Sequence, residues 1–276
     1  MKYMWYIFFI SFYHLQSNEH TNTLKSALID FTIGATSGAA GMIVYTPFHY
    51  FQNRSIQKQP IIWENPPCWF RGMPSLALGK APTIAVQMST YELITKIIKK
   101  NNTELSDTQK IAAATIAGAM SGIVNNFSHL IALHQENTGK SFVKTTQHHG
   151  KMALTRGLGT TILRETFFTN IYFILLKKIR EIMDKKIHNP VLAQISSGLL
   201  SGCVVAATTQ PCMVITAKLY ADMEKKQYHN GFDATYKTFV QEGIRGFYKG
   251  GGYRSIGVIL ALPVFDYVQK TLKGSY

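Results

Sequence analysis

Charged residues are scarce in this 276-residue sequence: Asp, Glu, Lys and Arg make up 16% of it, against about 25% in an ordinary soluble domain. Hydrophobic residues reach 46%, so much of the chain must avoid water, and a membrane is the simplest setting. Cysteine is scarcer still. Cys68, Cys203 and Cys212 form no close pair and no CxxC, which argues against a disulfide framework or a thiolate metal site and predicts buried, inert thiols. Acidic residues number 15 against 29 basic ones, for a net charge of +14. In a soluble protein that surplus points to nucleic acid. Here no basic helix or RNA-binding aromatic motif occurs, and the charges sit in short clusters between apolar stretches. Anionic lipid headgroups, not nucleic acid, are the expected neighbours.

The residues of several chemistries are also missing. Gly139-Lys140-Ser141 resembles the end of a phosphate-binding loop, but His134 stands where the first glycine belongs and no strand precedes it. Gly157-x-Gly159 lacks the third glycine of a dinucleotide fingerprint. His129, His134, His148 and His149 match no zinc spacing and read as exposed loop histidines. No nucleophile, base and orienter can be assembled, so no catalysis, no cofactor and no metal are expected. At the amino terminus, Lys2 and the apolar run Tyr3 to Tyr13 lack a following small-residue cleavage site. The run is too short to cross roughly 30 Å of hydrocarbon. Residues 1–23 read as an uncleaved hydrophobic extension or a start-site artefact.

What the sequence does have is repetition. Gly34-x-x-x-Gly38, Gly118-x-x-x-Gly122 and Gly198-x-x-x-Gly202 open three apolar segments, a self-similarity that fixes the fold class before any detail. Each is followed by a basic residue and glycine: Arg71-Gly72, Arg156-Gly157 and Lys249-Gly250. Phe31 to Phe48, Ile111 to Leu133 and Asn189 to Ala217 are long enough to span. Their partners, roughly Gly72 to Ile98, Gly157 to Met183 and Gly252 to Leu272, are apolar but interrupted. The expected unit is therefore helix, polar loop, helix, three times over, giving six crossings with both termini on one side. The GxxxG steps read as helix-packing sites within one chain rather than as a dimer motif. Pro47 and Pro211 are expected to kink their helices, and Ile131 takes that place in the second unit. Equal numbers of Lys and Arg fall on the two sides, so the positive-inside rule gives no orientation.

Three cations are left inside: Lys80, Arg164 and Arg254, one per repeat, each in the second helix of its unit. An ionised group facing lipid costs at least about 2.5 to 3.5 kcal/mol, so such residues normally face a bundle interior or a wet cavity. Together they make a candidate anion site. Glu165 adjoins Arg164, either as local neutralisation or as half of a dipolar site for a zwitterion. Lys80 is long enough to snorkel, and Arg254, four residues past Gly250, reads more readily as a snorkelling interfacial residue.

These residues resemble the mitochondrial carrier family over about residues 24 to 273. The family pattern is Pro-x-acid-x-x-base, then acid-Gly-x4-aromatic-base-Gly. Glu242-Gly243 through Tyr248-Lys249-Gly250 matches the second half fully. Glu64-Asn65 through Phe70-Arg71-Gly72 matches with one lapse, and the second repeat keeps Gly150, Arg156 and Gly157. The first half is degraded: acid positions hold His49, Leu133 and Met213, and base positions hold Gln52, Glu136 and Thr216. The resemblance allows one repair of this gate, in which His49 and Glu136 are expected to be partners with their signs reversed. On the opposite side Tyr91-Glu92 and Phe265-Asp266 match the family's aromatic-acid motif, Leu176-Lys177 does not, and Lys96, Arg180 and Lys270 are the candidate cations of that gate.

The resemblance implies an all-α membrane protein of one domain: six transmembrane helices in three tandem repeats, 24–104, 105–187 and 188–276, around a central cavity, with short amphipathic helices on the matrix side. It implies a monomer in the mitochondrial inner membrane, or a host's if the source is an intracellular bacterium, with cardiolipin or a similar anionic lipid at the three basic-Gly motifs. Its expected work is exchange of a small charged metabolite by alternating access. The stretch from Gly72 to Glu92 and the LRETFF from Leu163 to Phe168 look like S-adenosylmethionine carriers, which favours an adenine-containing solute, a nucleotide or S-adenosylmethionine. Arginine followed by an acid also resembles amino-acid carriers, and the degraded gate leaves a non-transporting membrane scaffold as a further alternative.

Overall fold

The computed structural model describes residues 21–63, 65–99, 105–141, 143, 144, 147 and 155–274, and every regular element among them is helical. The extension expected at 1–23 lies outside them except for 21–23, as do Glu64, Gly150, His148 and His149. The helices are α1 (Thr21–Ile56), α2 (Met73–Ile98), α3 (Asp107–Thr138), α4 (Leu158–Asn170), α5 (Leu176–Lys186), α6 (Pro190–Ala221), α7 (Gly231–Gly246) and α8 (Gly251–Gly274). A 3-10 turn, Pro66–Phe70, precedes α2, and a π turn, Ile171–Leu175, joins α4 to α5.

The local chemistry explains several of these boundaries. Ser106 accepts the Gln109 backbone N–H while Gln109 accepts that of Ser106, a capping box that starts α3. Asn230 does the same work for α7 by accepting from Asp233 N–H at 2.9 Å. Pro47 and Pro211, the expected kink sites, lie inside α1 and α6, each of which continues past its proline.

Each long helix packs on the next in chain order, α1 on α2, α2 on α3, α3 on α4, and α4 and α5 on α6; α6 then packs on α8, and α8 returns to α1. The long helices thus close a ring. α7 lies against α6 outside that order. It is the one described helix that fits the amphipathic loop helices implied by the resemblance, with Ala234 and Thr238 buried and Phe232, Tyr236, Val240 and Ile244 exposed.

A threefold relation links the basic-Gly motifs to the ring. A Cβ on Gly72 would stand 2.9 Å from Glu136 Oε1 in α3, one on Gly157 would meet the Tyr220 ring of α6 at 2.7 Å, and one on Gly250 would meet Gln52 O of α1 at 2.9 Å. Each motif therefore presses its backbone onto the far end of the first helix of the next unit. Gly157 and Gly250 also hold φ of +69° and +71°, which side chains bearing a Cβ adopt only at a cost.

The GxxxG expectation holds unevenly. In α3, a Cβ at Gly118 or Gly122 would come 2.6 or 2.7 Å from α4 Cα atoms, so backbones meet there. Gly198 has nothing within 4 Å of its Cβ position among the described residues, so no close backbone approach is seen there. The cysteine expectation also needs correction: Cys68 is buried and Cys212 half-buried, but Cys203 is exposed. Of the six expected crossings, Asp107–Thr138 and Ser196–Ala221 are long and apolar enough to cross a membrane by composition alone, and Gly251–Phe265 is apolar but shorter. α2 and α4 carry charged residues within their length.

Candidate functional site

One cavity lies inside the ring, and α1, α2, α3, α4, α6 and α8 all contribute to its wall. About 1020 Å³ of space lies within it, part of it continuous with solvent. Lys80, Arg164, Glu165 and Arg254 all line it. Four residues chosen from the sequence on charge alone, from the three helices α2, α4 and α8, therefore meet at one place.

Each is held differently. Arg164 donates from Nε and Nη2 to Glu165 Oε1 at 3.0 and 2.8 Å, and from Nη1 to Met213 Sδ at 3.1 Å. Asn125 of α3 adds a 2.9 Å hydrogen bond to the same carboxylate oxygen. The acid and base adjacent in sequence are thus joined in space, and both side chains are buried. Lys80 Nζ lies 5.3 Å from the centroid of the Phe168 ring, a cation–π arrangement, with no carboxylate within ion-pair distance among the described residues. Arg254 does not snorkel. It is buried, donating to Thr209 Oγ1 at 2.5 Å, Gln210 Oε1 at 3.2 Å and Ala206 O at 3.4 Å. The closeness of Arg254 to Gly250 in sequence suggested an interface, but α6 covers it, because ring closure places that helix against the start of α8.

Three residues that charge counting passed over also line the cavity: Asn125, Gln87 and His129. Asn125 and Gln87 are polar groups inside otherwise apolar helices, and that was their available signal. His129 was grouped with loop histidines, yet it lies within α3 and its ring meets that of His49 at 5.5 Å between centroids. Phe168 and Tyr172 stand parallel within 11° along the same wall.

At one end of the ring the helices are tied together. His49 Nδ1 stands 2.7 Å from Glu136 Oε1, and Asn53 donates to Glu136 Oε2 at 2.7 Å. Ser75 donates to Gln135 alongside. Between α1 and α6 the Gln52 amide reaches Gln210 Oε1 at 3.4 Å. Beneath these contacts Ile56, Leu130, Ile131, Leu133, Val214, Ala217, Tyr220 and Met223 form an apolar plug. Leu133, where the motif calls for an acid, belongs to this cluster, and Thr216, where it calls for a base, instead donates to Thr160 Oγ1 at 2.8 Å. At the other end, Glu92 and Lys96 are exposed, Arg180 pairs with Asp184 on its own helix at 3.8 Å, and no pair joins the described members of that set. The side chains of Asp266 and Lys270 lie outside the described residues.

The lipid expectation meets an obstacle at Arg156. Its guanidinium is turned inward and donates to Leu219 O, Asp222 O, Tyr228 O, His229 O and Asp222 Oδ2. It thereby satisfies carbonyls at the carboxyl end of α6, and its charge is spent within the protein rather than offered to a headgroup. Lys249 pairs with Glu242 at 3.6 Å while remaining partly exposed, and Arg71 is exposed.

Comparison with known proteins agrees with this architecture. The family model described as mitochondrial carrier protein matches residues 188–276. The probable mitochondrial 2-oxoglutarate/malate carrier protein of Dictyostelium discoideum is 23% identical over 201 residues, covering 66% of this chain and 63% of that protein. The mitochondrial glycine transporter YMC1 of Saccharomyces cerevisiae is 25% identical over 259 residues, covering 81% and 83%. The mitochondrial S-adenosylmethionine carrier protein of Xenopus tropicalis is 24% identical over 213 residues, covering 72% and 79%. With residues 188–276 matched by the family model and similarity running through four-fifths of its length, the chain is similar to the mitochondrial carriers.

Proposed function

We propose that this chain is a solute carrier of the mitochondrial inner membrane, in which three repeats, 24–104, 105–187 and 188–276, form one six-crossing domain that works by alternating access. The observation that carries the reading is the convergence of Lys80, Arg164 and Arg254 on one cavity with Glu165 as the only carboxylate on its wall among the described residues. Three cations against one acid leave a field that attracts an anion, while Glu165 can receive an amino group. Binding and release, not bond chemistry, are what such a wall can perform.

The solute best matched is small and carries an anionic group, with an adenine-containing molecule, S-adenosylmethionine or a nucleotide, in first place. The parallel Phe168 and Tyr172 rings offer a flat apolar face to a base, and an S-adenosylmethionine carrier is among the relatives. The buried Arg164–Glu165–Asn125 group favours a second reading, an amino acid, whose carboxylate and ammonium would meet cation and acid in turn. A glycine transporter is among the relatives as well. The non-transporting scaffold fares worse, because the buried His49–Glu136 pair gives one end of the ring a specific closure. The carrier acts as a monomer, with cardiolipin or another anionic lipid at Arg71-Gly72 and Lys249-Gly250.

Reconstitution tests this directly. Liposomes containing the purified chain should exchange at least one of labelled S-adenosylmethionine, ATP, glycine, glutamate, malate and 2-oxoglutarate. Arg164→Ala and Lys80→Ala should each abolish that exchange. Full uptake by either variant removes the site assignment, and no exchange of any solute by the unmodified protein removes the transport reading.

A further inference from the structure

We propose that His129 is a solute-contacting residue whose Nδ1 hydrogen-bonds a carboxylate or phosphate oxygen of the transported molecule; this rests on the transport reading above. Three observations carry it. His129 lines the same cavity as Lys80, Arg164 and Arg254. Its Nδ1 is buried and has no hydrogen-bond partner among the described residues, a state that buried polar atoms rarely keep unless something completes them. Its ring stands edge-on to His49, 5.5 Å between centroids and 65° between planes, and His49 holds Glu136.

The surroundings select the partner. His129 is part of a wall with three cations and one paired carboxylate, so with its proton on Nδ1 the ring will meet the negative end of a solute, not another cation. By contrast His134, one turn further along α3, already binds Tyr220 O at 3.1 Å. His129 sits on α3, whereas the charged wall residues come from α2, α4 and α8. It therefore adds a contact from a helix that carries no charge into the cavity. That contact also lies next to the closure. A solute held by Nδ1 touches the residue against which His49 rests, so occupancy bears on the pair that ties α1 to α3. A bound solute shifts a conformational equilibrium only through such differential contacts.

The test compares His129→Leu, His129→Asn and His129→Gln in liposomes, using exchange of S-adenosylmethionine, ATP, glutamate and 2-oxoglutarate, all of which carry an oxyanion. For whichever of these the unmodified protein exchanges, His129→Leu should raise KM about tenfold or more, as loss of a hydrogen bond to a charged group implies, with a smaller change in maximal rate. Asn places its amide near the Nδ1 position and should keep KM within about threefold, while Gln, which reaches the Nε2 position, should not. That Asn–Gln split also decides the matter if the Leu variant fails to fold, since a purely structural histidine would not produce it at equal thermal stability. Equal KM values for Asn and Gln, or an unchanged KM for Leu, overturn the proposal. An unmodified protein that exchanges none of the four would instead remove the carrier reading for oxyanion solutes, and this proposal with it.

Discussion

His49 Nδ1 and Glu136 Oε1 stand 2.7 Å apart, with both side chains 1% exposed, so the basic partner lies on α1 and the acidic partner on α3. The family motif sets the opposite order, and the exchanged pair still joins α1 to α3, with Asn53 hydrogen-bonded to the other carboxylate oxygen. Removing one partner leaves an uncompensated buried group, which costs about 3 to 5 kcal/mol. Glu136→Ala should therefore lower the unfolding temperature of the detergent-solubilised protein by several degrees. The double change His49→Asp with Glu136→His should recover part of the loss. Equal melting curves for Glu136→Ala and the parent would show that the pair does not hold this end of the ring.

Arg156 makes a second prediction, because it serves the Leu219 and Asp222 carbonyls at the end of α6, the Tyr228 and His229 carbonyls of the loop that follows, and the Asp222 carboxylate. Lysine carries the charge but not the planar fork. Arg156→Lys should destabilise nearly as much as Arg156→Ala, by about 2 to 4 kcal/mol, in thermal or denaturant unfolding. A lysine variant of parental stability would mean that charge alone, and not the fan of donors, matters there.

The acid stability of the same end follows from Asp222 and Glu242. Burial pushes the Asp222 carboxyl up, but the backbone N–H groups of Tyr228, Gln227 and Lys226, together with Arg156, more than offset it and hold it below its ordinary value. Burial likewise opposes ionisation of Glu242, and Lys218, Lys249 and Lys58 prevail. Both carboxyls thus bind protons less readily folded than unfolded. Their stabilisation is full above the unfolded value of about 4 and is lost as pH falls through the depressed folded value. Melting temperature should drop below about pH 4, and less steeply in Asp222→Asn, whose stability at neutral pH should already be lower.

Helix approach supplies a fourth test with an internal control. Gly118→Ala and Gly122→Ala force α3 away from α4, where a Cβ would lie 2.6 and 2.7 Å from backbone atoms. Each should cost about 1 to 3 kcal/mol. Gly198→Ala meets nothing within 4 Å among the described residues and should be neutral or mildly stabilising through its better helix propensity. Matching losses at all three sites in unfolding measurements would contradict this division.

The helical units, and the convergence of Lys80, Arg164 and Glu165, were legible because apolar length and isolated charge are local signals. Arg254 was misplaced and Arg156 misassigned for one shared reason. Their partners, Thr209 and Gln210 in one case and the end of α6 in the other, are brought to them by ring closure, which no local pattern encodes. His129 was overlooked because its charge state attracts no notice in a composition count, although it lies mid-helix. The unevenness of the GxxxG steps was also hidden, since identical spacing gives no account of which neighbour leans in.

The π turn at Ile171–Leu175 has a bearing on how the second unit is compared with the others. One residue added to a turn rotates everything beyond it by about 100° relative to an uninterrupted helix. Past that phase slip, counting along the chain no longer names equivalent positions. Arg180, a candidate cation of the far gate, pairs instead with Asp184 one turn along its own helix. Any alignment of the three units should carry a one-residue gap at 171–175 before far-end partners are assigned.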